Sequence, residues 1–325
     1  MTSRADEHPP HLAVWLALAG AVLVGVLTAV QARINGQLGL RLGDGLTAAV
    51  ISFGSGLVLL IALTAILPSA RRGFARLATG VRSRQIPWWM LAGGAAGALT
   101  VATQGLAVAI IGVSLFSVGV VAGQTLNGLL LDRVGYGPAG VVAVTMPRVA
   151  GGALALLAVA VSLQGGVLDR VPLWMLVMPF LTGVGIAWQQ ATNGRLRQRV
   201  GTPITATLVN FIGGTAILAV AALIHIAIAG APTSYPTEVW LYLGGVLGVI
   251  YIILSAALVV HTGVLLLGLG TVAGQLISAF VLDALWPAEA GAGWMLELIT
   301  VVIALASVIV AAAPWRRIGR RSRQA

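Results

Sequence analysis

The residues best suited to chemistry in this chain are two pairs of side-chain amides set in apolar sequence. Gln31 and Asn35 are four residues apart, and Gln189 and Asn193 repeat that spacing 158 residues later. Residues four apart share one face of a helix. Because an amide in apolar surroundings is costly unless it is hydrogen-bonded or faces water, these amides are predicted to line a permeation path and bind substrate. The alternative is that they hold helices together or cap a helix end.

Two further glutamines are also repeated. Gln124 and Gln275 each end an Ala-Gly-Gln sequence, and the two copies lie 151 residues apart. They are predicted to bind substrate as well. The alternative is again helix packing, because the small residues beside them allow helices to approach closely.

One arginine stands out because it lies inside an apolar run. Arg148 falls between Val141 and Ala160, and the second copy has an apolar residue there, around Ile299. A lone arginine at such a depth usually pairs with an acid or an anionic ligand. Arg148 is predicted to bind substrate, and the alternatives are an ion pair with Asp132 or snorkelling to the cytoplasmic side.

Few acidic side chains are available for coupling transport to an ion gradient. Of the nine in the chain, only Asp132, Asp283 and Glu297 are predicted to lie near the membrane interior. These three are the candidates for proton coupling, and the alternative is that they are solvated acids at helix ends.

No pattern typical of catalysis or metal binding is present. The chain has no cysteine and four histidines without metal-ligand spacing. It also lacks a P-loop and a G-x-S-x-G sequence. No catalytic residue, metal or cofactor is therefore expected, and the chain is not predicted to be an enzyme.

The elements that carry these residues are apolar helices. The chain is 58% hydrophobic and 9% charged, whereas a soluble domain has about a quarter of its residues charged. Ten runs approach the roughly 20 residues that cross a bilayer: about 12–32, 46–67, 87–107, 113–131, 138–162, 172–193, 203–229, 239–260, 264–284 and 292–313. Very short turns around Ile111 and Thr262 join the third to the fourth run and the eighth to the ninth. The predicted fold is an all-α polytopic membrane protein with ten transmembrane helices.

The chain contains one helical unit twice. Residues Gly25 to Gly56 align with Gly183 to Gly214 without a gap and with thirteen identities. Five helices per unit would make the two repeats inverted, as in many transporters. The predicted divisions are a disordered N-terminus at 1–11, a first repeat at 12–163, an external linker at 164–171, a second repeat at 172–314 and a basic C-terminus at 315–325.

Arginine placement predicts the orientation in the membrane. All 19 basic residues are arginines, and fifteen fall at the termini or in the even-numbered loops. The odd-numbered loops carry Arg33, Arg41 and Arg170. Because cytoplasmic loops are rich in arginine, both termini are predicted to be cytoplasmic.

The amide motif carries a family resemblance. Q-x-x-x-N-G-x-L-G at 31–39, followed by T-x-x-x-x-S-F-x-x-G at 47–56, resembles the YdcZ-type branch of the drug/metabolite transporter superfamily. The resemblance implies a ten-helix exporter of small metabolites or drugs in the bacterial inner membrane. Small multidrug exporters of that superfamily use a glutamate in the first helix, but neither Val14 to Val30 nor Leu173 to Trp188 contains an acid. That mechanism is therefore not expected here.

The leading functional prediction is a secondary-active exporter of a small organic solute that works by alternating access. The alternatives are an integral-membrane enzyme acting on a lipid or isoprenoid phosphate, and a passive channel. The expected partners are a small-molecule substrate and the lipid bilayer, without nucleic acid, and the chain is expected to be a monomer or homodimer.

Overall fold

The computed structural model describes residues 11–137, 140–141, 144–164, 166–287 and 293–312. Every regular element within these ranges is a helix, in agreement with the all-α prediction. The helices are α1 His11–Leu42, α2 Gly45–Ile66, α3 Pro68–Arg82, α4 Gly93–Thr103, α5 Ala109–Arg133, α6 Met146–Ser162, α7 Val167–Arg170, α8 Leu173–Val200, α9 Pro203–Ala229, α10 Gly244–Leu285 and α11 Trp294–Ala312. A π-helical turn, Gln104–Val108, connects α4 to α5.

Five stretches of the described chain are long and apolar enough to cross a membrane. They are Ala19–Leu42, Gly45–Ile66, Trp88–Arg133, Pro203–Ala229 and Trp294–Ala311. With no polar solvent in the bilayer core, a spanning segment must satisfy its own backbone groups, which a helix does. The class of helical membrane protein therefore follows from composition and structure together.

Several helix ends differ from the predicted ones. The first helix continues ten residues past the predicted end at residue 32, and α8 continues to Val200 rather than 193. Each ends at a glycine with positive φ, Gly43 and Gly201, where only a residue without a side chain adopts the left-handed conformation easily. Asn35 and Asn193 therefore lie inside helices, and the interpretation of these residues as helix caps is wrong.

The sixth helix begins later than predicted. Residues 144 and 145 are not helical, and α6 starts at Met146 rather than at residue 138. Pro147 occupies the first turn, where proline favours the start of a helix. Arg148 accordingly lies in the first turn of α6 rather than near the middle of a span.

The loop between the second and third predicted spans contains a helix that the hydropathy pattern does not predict. The helix α3 buries Ala70, Gly73, Leu77 and Gly80 and exposes its arginines. Its buried side packs on α8 and α9, where Thr205 donates a hydrogen bond to the carbonyl oxygen of Ala70. Hydropathy alone overlooks such a helix because its exposed side is strongly basic.

The two short turns predicted from the sequence have different outcomes. Gly112 interrupts α5 with a φ of 86° and a ψ of 161°, close to the turn predicted around Ile111. The turn predicted around Thr262 falls in α10, which is helical from Gly244 to Leu285.

The contacts of α10 nevertheless reverse along its length. Gly244 lies beside Asn35 and Leu258 beside Gly20, whereas Gly274 lies beside Val22. The first part of α10 therefore lies antiparallel to α1, and its last part lies along α1 again. The change of direction falls between Leu258 and Thr271.

Several of the closest helix contacts are made by glycines that correspond in the two copies. A Cβ added to Gly25 of α1 would overlap the carbonyl oxygen of Thr271, and one added to Gly183 of α8 would overlap that of Val120. Thr271 and Val120 are themselves 151 residues apart. The first helix of each copy thus packs, backbone to backbone, against helices of the other copy.

We expect Gly25→Ala to destabilise the bundle, because its methyl group has no room beside Thr271. Overpacking of this kind costs about 1–3 kcal/mol, which thermal unfolding of the detergent-purified chain would measure as a lower Tm.

Gly54→Ala is the matched control, because a Cβ at Gly54 would meet no atom within 4 Å. Alanine is the better helix former by about 0.5–1 kcal/mol, so this variant should keep or raise the Tm. Equal Tm values for the two variants would contradict the tight contact at Gly25.

Candidate functional site

The amides of α1 are fully enclosed and hydrogen-bonded. Gln31 Nε2 donates to the carbonyl oxygen of Gly244 at 2.7 Å, and Asn35 Nδ2 donates to Gln104 Oε1 at 2.7 Å. Gln104, in the π-helical turn, is also buried. Gln31 thus joins α1 to α10, and Asn35 joins α1 to the connection between α4 and α5.

The corresponding amides of α8 are only half-buried. Gln189 Nε2 lies beside Gly97 of α4, and Asn193 Oδ1 lies beside Gly93. The Oδ1 atom of Asn193 is buried but has no hydrogen-bond partner, and the same is true of both side-chain polar atoms of the neighbouring Asn210. Asn35 Oδ1 is likewise buried without a partner, so both groups of amides keep unused hydrogen-bonding atoms, and the group around α8 has more of them.

The Ala-Gly-Gln glutamines lie at the same helix contacts as the close glycines. Gln275 is buried and donates to Ser117 Oγ at 3.3 Å, whereas Gln124 is half-buried and donates to Gln190 Oε1 at 3.1 Å. Both are thus within hydrogen-bonding distance of other helices, and a role in substrate binding remains a prediction.

Two phenylalanines at corresponding positions join the copies. Phe53 of α2 and Phe211 of α9 stack with ring centroids 4.7 Å apart and an angle of 23° between the rings. A Cβ on Gly56 would overlap Phe211, and one on Gly214 would overlap Phe53. The stack therefore fills space that two glycines leave open, between the two groups of amides.

Arg148 is paired with an acid. Its Nη1 atom donates to Asp132 Oδ2 at 2.8 Å, and the two side chains are 25% and 37% exposed. The ion pair joins the end of α5 to the first turn of α6. Binding of a substrate by Arg148 would require this pair to open, and that role stays a prediction.

The remaining coupling candidates lie together at the opposite end of α5. Asp283 of α10 accepts hydrogen bonds from the backbone N–H groups of Val113 and Ser114, at 3.0 and 2.6 Å. It thus caps the helical segment that follows the break at Gly112. Arg33 and Glu297 are close enough to interact with Asp283 electrostatically.

The corresponding polar residues of the two copies are buried unequally. Gln31, Asn35, Gln275 and Asp283 are at most 5% exposed. Their counterparts Gln189, Asn193 and Gln124 are half-buried, and the side chain of Asp132 is 37% exposed. The polar groups at one end of the bundle are therefore buried more deeply than their counterparts at the other end.

Gln104 and Asn210, which no repeated motif of the sequence singles out, are central in the structure. Gln104 and Asn210 have no identical partner in the other copy, yet each lies within its group of amides. Asn210 is the counterpart of Ser52 at the 158-residue offset. Both side chains are polar, and this shared polarity is the feature of the sequence that points to Asn210. Arg33 was assigned to a loop but lies within α1, where its Nη1 atom is buried without a partner.

Among the residues that the structure describes, no group of three His, Cys, Asp or Glu side chains lies close enough together to hold a metal ion. What the arrangement offers a ligand is a set of hydrogen-bonding amides between tightly packed apolar helices. The class that fold and site define is a helical membrane protein with hydrogen-bonding amides in its interior.

Comparison with known proteins identifies the family. The family model described as "Putative inner membrane exporter, YdcZ" matches residues 16–161 and 174–310. The chain belongs to this family, and it is therefore a membrane transport protein of an inner-membrane exporter family. No curated protein matches the chain significantly.

One solved crystal structure, described only as that of a protein, is similar in fold. It is 20% identical in sequence, with a TM-score of 0.50, and the match covers 93% of this chain and 97% of the other. At this identity the similarity concerns the fold alone.

We expect Asn35→Ala to destabilise the chain more than Asn193→Ala does. The first change leaves the buried Gln104 Oε1 without its donor, and an unsatisfied buried polar atom costs about 1–3 kcal/mol. Asn193 makes no hydrogen bond within the described residues, so its loss should change the Tm little. Equal Tm losses in detergent would contradict the difference between the two copies.

Proposed function

We propose that the chain is a secondary-active exporter of a small organic metabolite or drug, and that it works by alternating access. The observation that carries this proposal is the unequal burial of the repeated polar residues, since an alternating-access carrier closes one end of its pathway while the other is open. Export, rather than uptake, is supported by the family description.

Ten spans arranged as two inverted five-helix repeats are part of the proposal. Support comes from contacts that recur at the sequence offsets: Gly245 meets the backbone of Ser52, and Gly94 meets that of Asn210. The reversal of α10 along α1 also favours two spans in that stretch. Inverted repeats give a carrier two similar conformations, in which each repeat adopts the other's arrangement.

We further propose that the more accessible end faces the cytoplasm. Arginines are concentrated there, in α3 and in the last turns of α8, and cytoplasmic segments are rich in arginine. Both termini would lie on this side.

Surface contacts fit a closed external end. Arg41, at the end of α1, forms an ion pair of 2.6 Å with Glu238. Its counterpart Arg199, at the end of α8, makes no hydrogen bond or ion pair with a described residue. The conformation would then be open towards the cytoplasm, ready to receive a solute for export.

The proposed substrate contacts are the repeated amides, with Gln189 and Asn193 most accessible in this conformation. Gln124, also half-buried, would contribute in this conformation, and Gln31, Asn35 and Gln275 would take part when the pathway reverses. Arg148 would join them if its pair with Asp132 opens. Because the sequence contains no P-loop, we propose that an ion gradient drives transport, with Asp132, Asp283 and Glu297 as coupling candidates.

We expect the chain, reconstituted in liposomes, to accumulate at least one member of a panel of small organic solutes when an ion gradient is imposed. Gln189→Ala should weaken the apparent affinity up to about tenfold, as expected for the loss of one hydrogen bond. Protein-free liposomes are the control. Equilibration without accumulation would indicate a channel, and no movement of any solute would contradict the proposal.

Cysteine labelling should report which end is open, because the chain has no cysteine of its own. A membrane-impermeant maleimide applied from the cytoplasmic side should label Gln189→Cys much faster than Gln31→Cys. The two positions correspond in the repeats and differ in burial, so each serves as the control for the other. Equal labelling, or labelling of Gln189→Cys only from outside, would overturn the proposed conformation.

A further inference from the structure

The carboxylate of Glu297 has no direct partner in the part of the chain that the structure describes. It lies in the first turn of α11, half-buried, and forms no hydrogen bond or ion pair there. A charged group taken out of water without a partner is strongly unfavourable. The other acid at this end, Asp283, instead accepts two backbone hydrogen bonds. Glu297 is thus the acid whose charge the fold leaves uncompensated.

Glu297 lines a small cavity between α5, α6 and α11. The other lining residues are Ile111, Ser114, Leu115, Ser162 and Thr300. The cavity has room for about one water-sized particle. We call it the Glu297 cavity.

Two hydroxyl groups in the Glu297 cavity are buried. Ser114 and Thr300 are each 2% exposed; Thr300 Oγ1 has no hydrogen-bond partner, and Ser114 Oγ lies near the carboxylate of Asp283 with its lone pairs free. The third hydroxyl, of Ser162, donates to the carbonyl oxygen of Val159 at 2.7 Å and keeps its lone pairs free. A carboxylate and hydroxyl oxygens around one small space are the ligands that hard cations prefer.

Among the described residues, the charges near the cavity sum to a single negative charge. Asp283 and Glu297 are acidic, and Arg33 of α1 is the cation that interacts with Asp283. One monovalent cation would therefore neutralise the group, whereas a divalent ion would leave an excess positive charge in an apolar region. The break at Gly112 lies directly beside the cavity, and transporters commonly hold sodium at such interrupted helices.

We propose that the Glu297 cavity binds one sodium ion, through the Glu297 carboxylate and the hydroxyl oxygens of Ser114 and Thr300. The role of sodium as the coupling ion rests on the proposed function, whereas the binding of sodium to this cavity does not. A proton would need only the carboxylate, whereas the site supplies hydroxyl ligands and a space of ionic size. Because the cavity joins α5 and α6 of the first copy to α11 of the second, sodium would hold this end of the bundle closed.

The test is the thermal stability of the detergent-purified full chain in sodium chloride and in choline chloride, at equal ionic strength and at several pH values. We expect sodium to raise the Tm in a saturable way, since a ligand that binds only the folded state stabilises it. Glu297→Gln should abolish this sodium-dependent rise, and Thr300→Val should weaken it. Asp169→Asn, which removes an exposed acid at the same end, should leave it unchanged.

Equilibrium binding of radioactive sodium should give one ion per chain, and the same variants should lose it. A Tm that depends on pH but not on sodium would overturn the proposal in favour of a proton site. A sodium response that survives in both Glu297→Gln and Thr300→Val would place the ion elsewhere. If Glu297→Gln does not fold, Thr300→Val and Ser114→Ala decide the matter.

Liposome transport separates this proposal from the proposed function. Sodium binding without any movement of solute would contradict the carrier and leave the site standing. Solute accumulation that is driven equally well without sodium would contradict a coupling role for the site and leave the carrier standing.

Discussion

The structure depends on contact between helix backbones at paired glycines. Within a bilayer, apolar side chains gain little from leaving lipid for one another, so close approach and hydrogen bonds must hold helices together. Gly25 and Gly274 bring α1 against α10. Gly248 in turn leaves room on α10 for Gln31 Nε2, which donates to the carbonyl oxygen of Gly244. The glycines therefore set the positions of the polar groups as well as the packing of the helices.

The repeat and the amides could be predicted from the sequence, because polar residues at fixed spacing are easily recognised in an apolar chain. The all-helical class and the family followed from them. The ends of α1 and α8 could not be predicted as well, because Asn-Gly resembles a helix stop. In the structure, Gly36 of this Asn-Gly sequence does not end the helix but packs against Val108. The helix ends later, at Gly43.

Other features depend on tertiary structure that no local pattern records. Arg148 seemed deep in the membrane because the residues before it are apolar, yet α6 starts only two residues earlier. Thr300 follows Glu297 by three residues and shares its helix face, but Ser114 comes from α5, and nothing in the sequence connects it with Glu297. The unequal burial of matched residues is a property of one conformation, and two nearly equivalent sequences cannot indicate which of them is closed.

The separation of the glycine contacts along the chain affects how the protein is made. Gly25 meets Thr271, and about 250 residues of synthesis lie between them. The first helix therefore enters the bilayer with its glycine face uncovered, and it acquires its partner only when nearly the whole polypeptide has left the ribosome. A chain truncated after α9 would lack the contacts of α1 with α10 and would keep only those with α2, α5 and the π-helical turn. Assembly of the N-terminal half is thus completed by the C-terminal half.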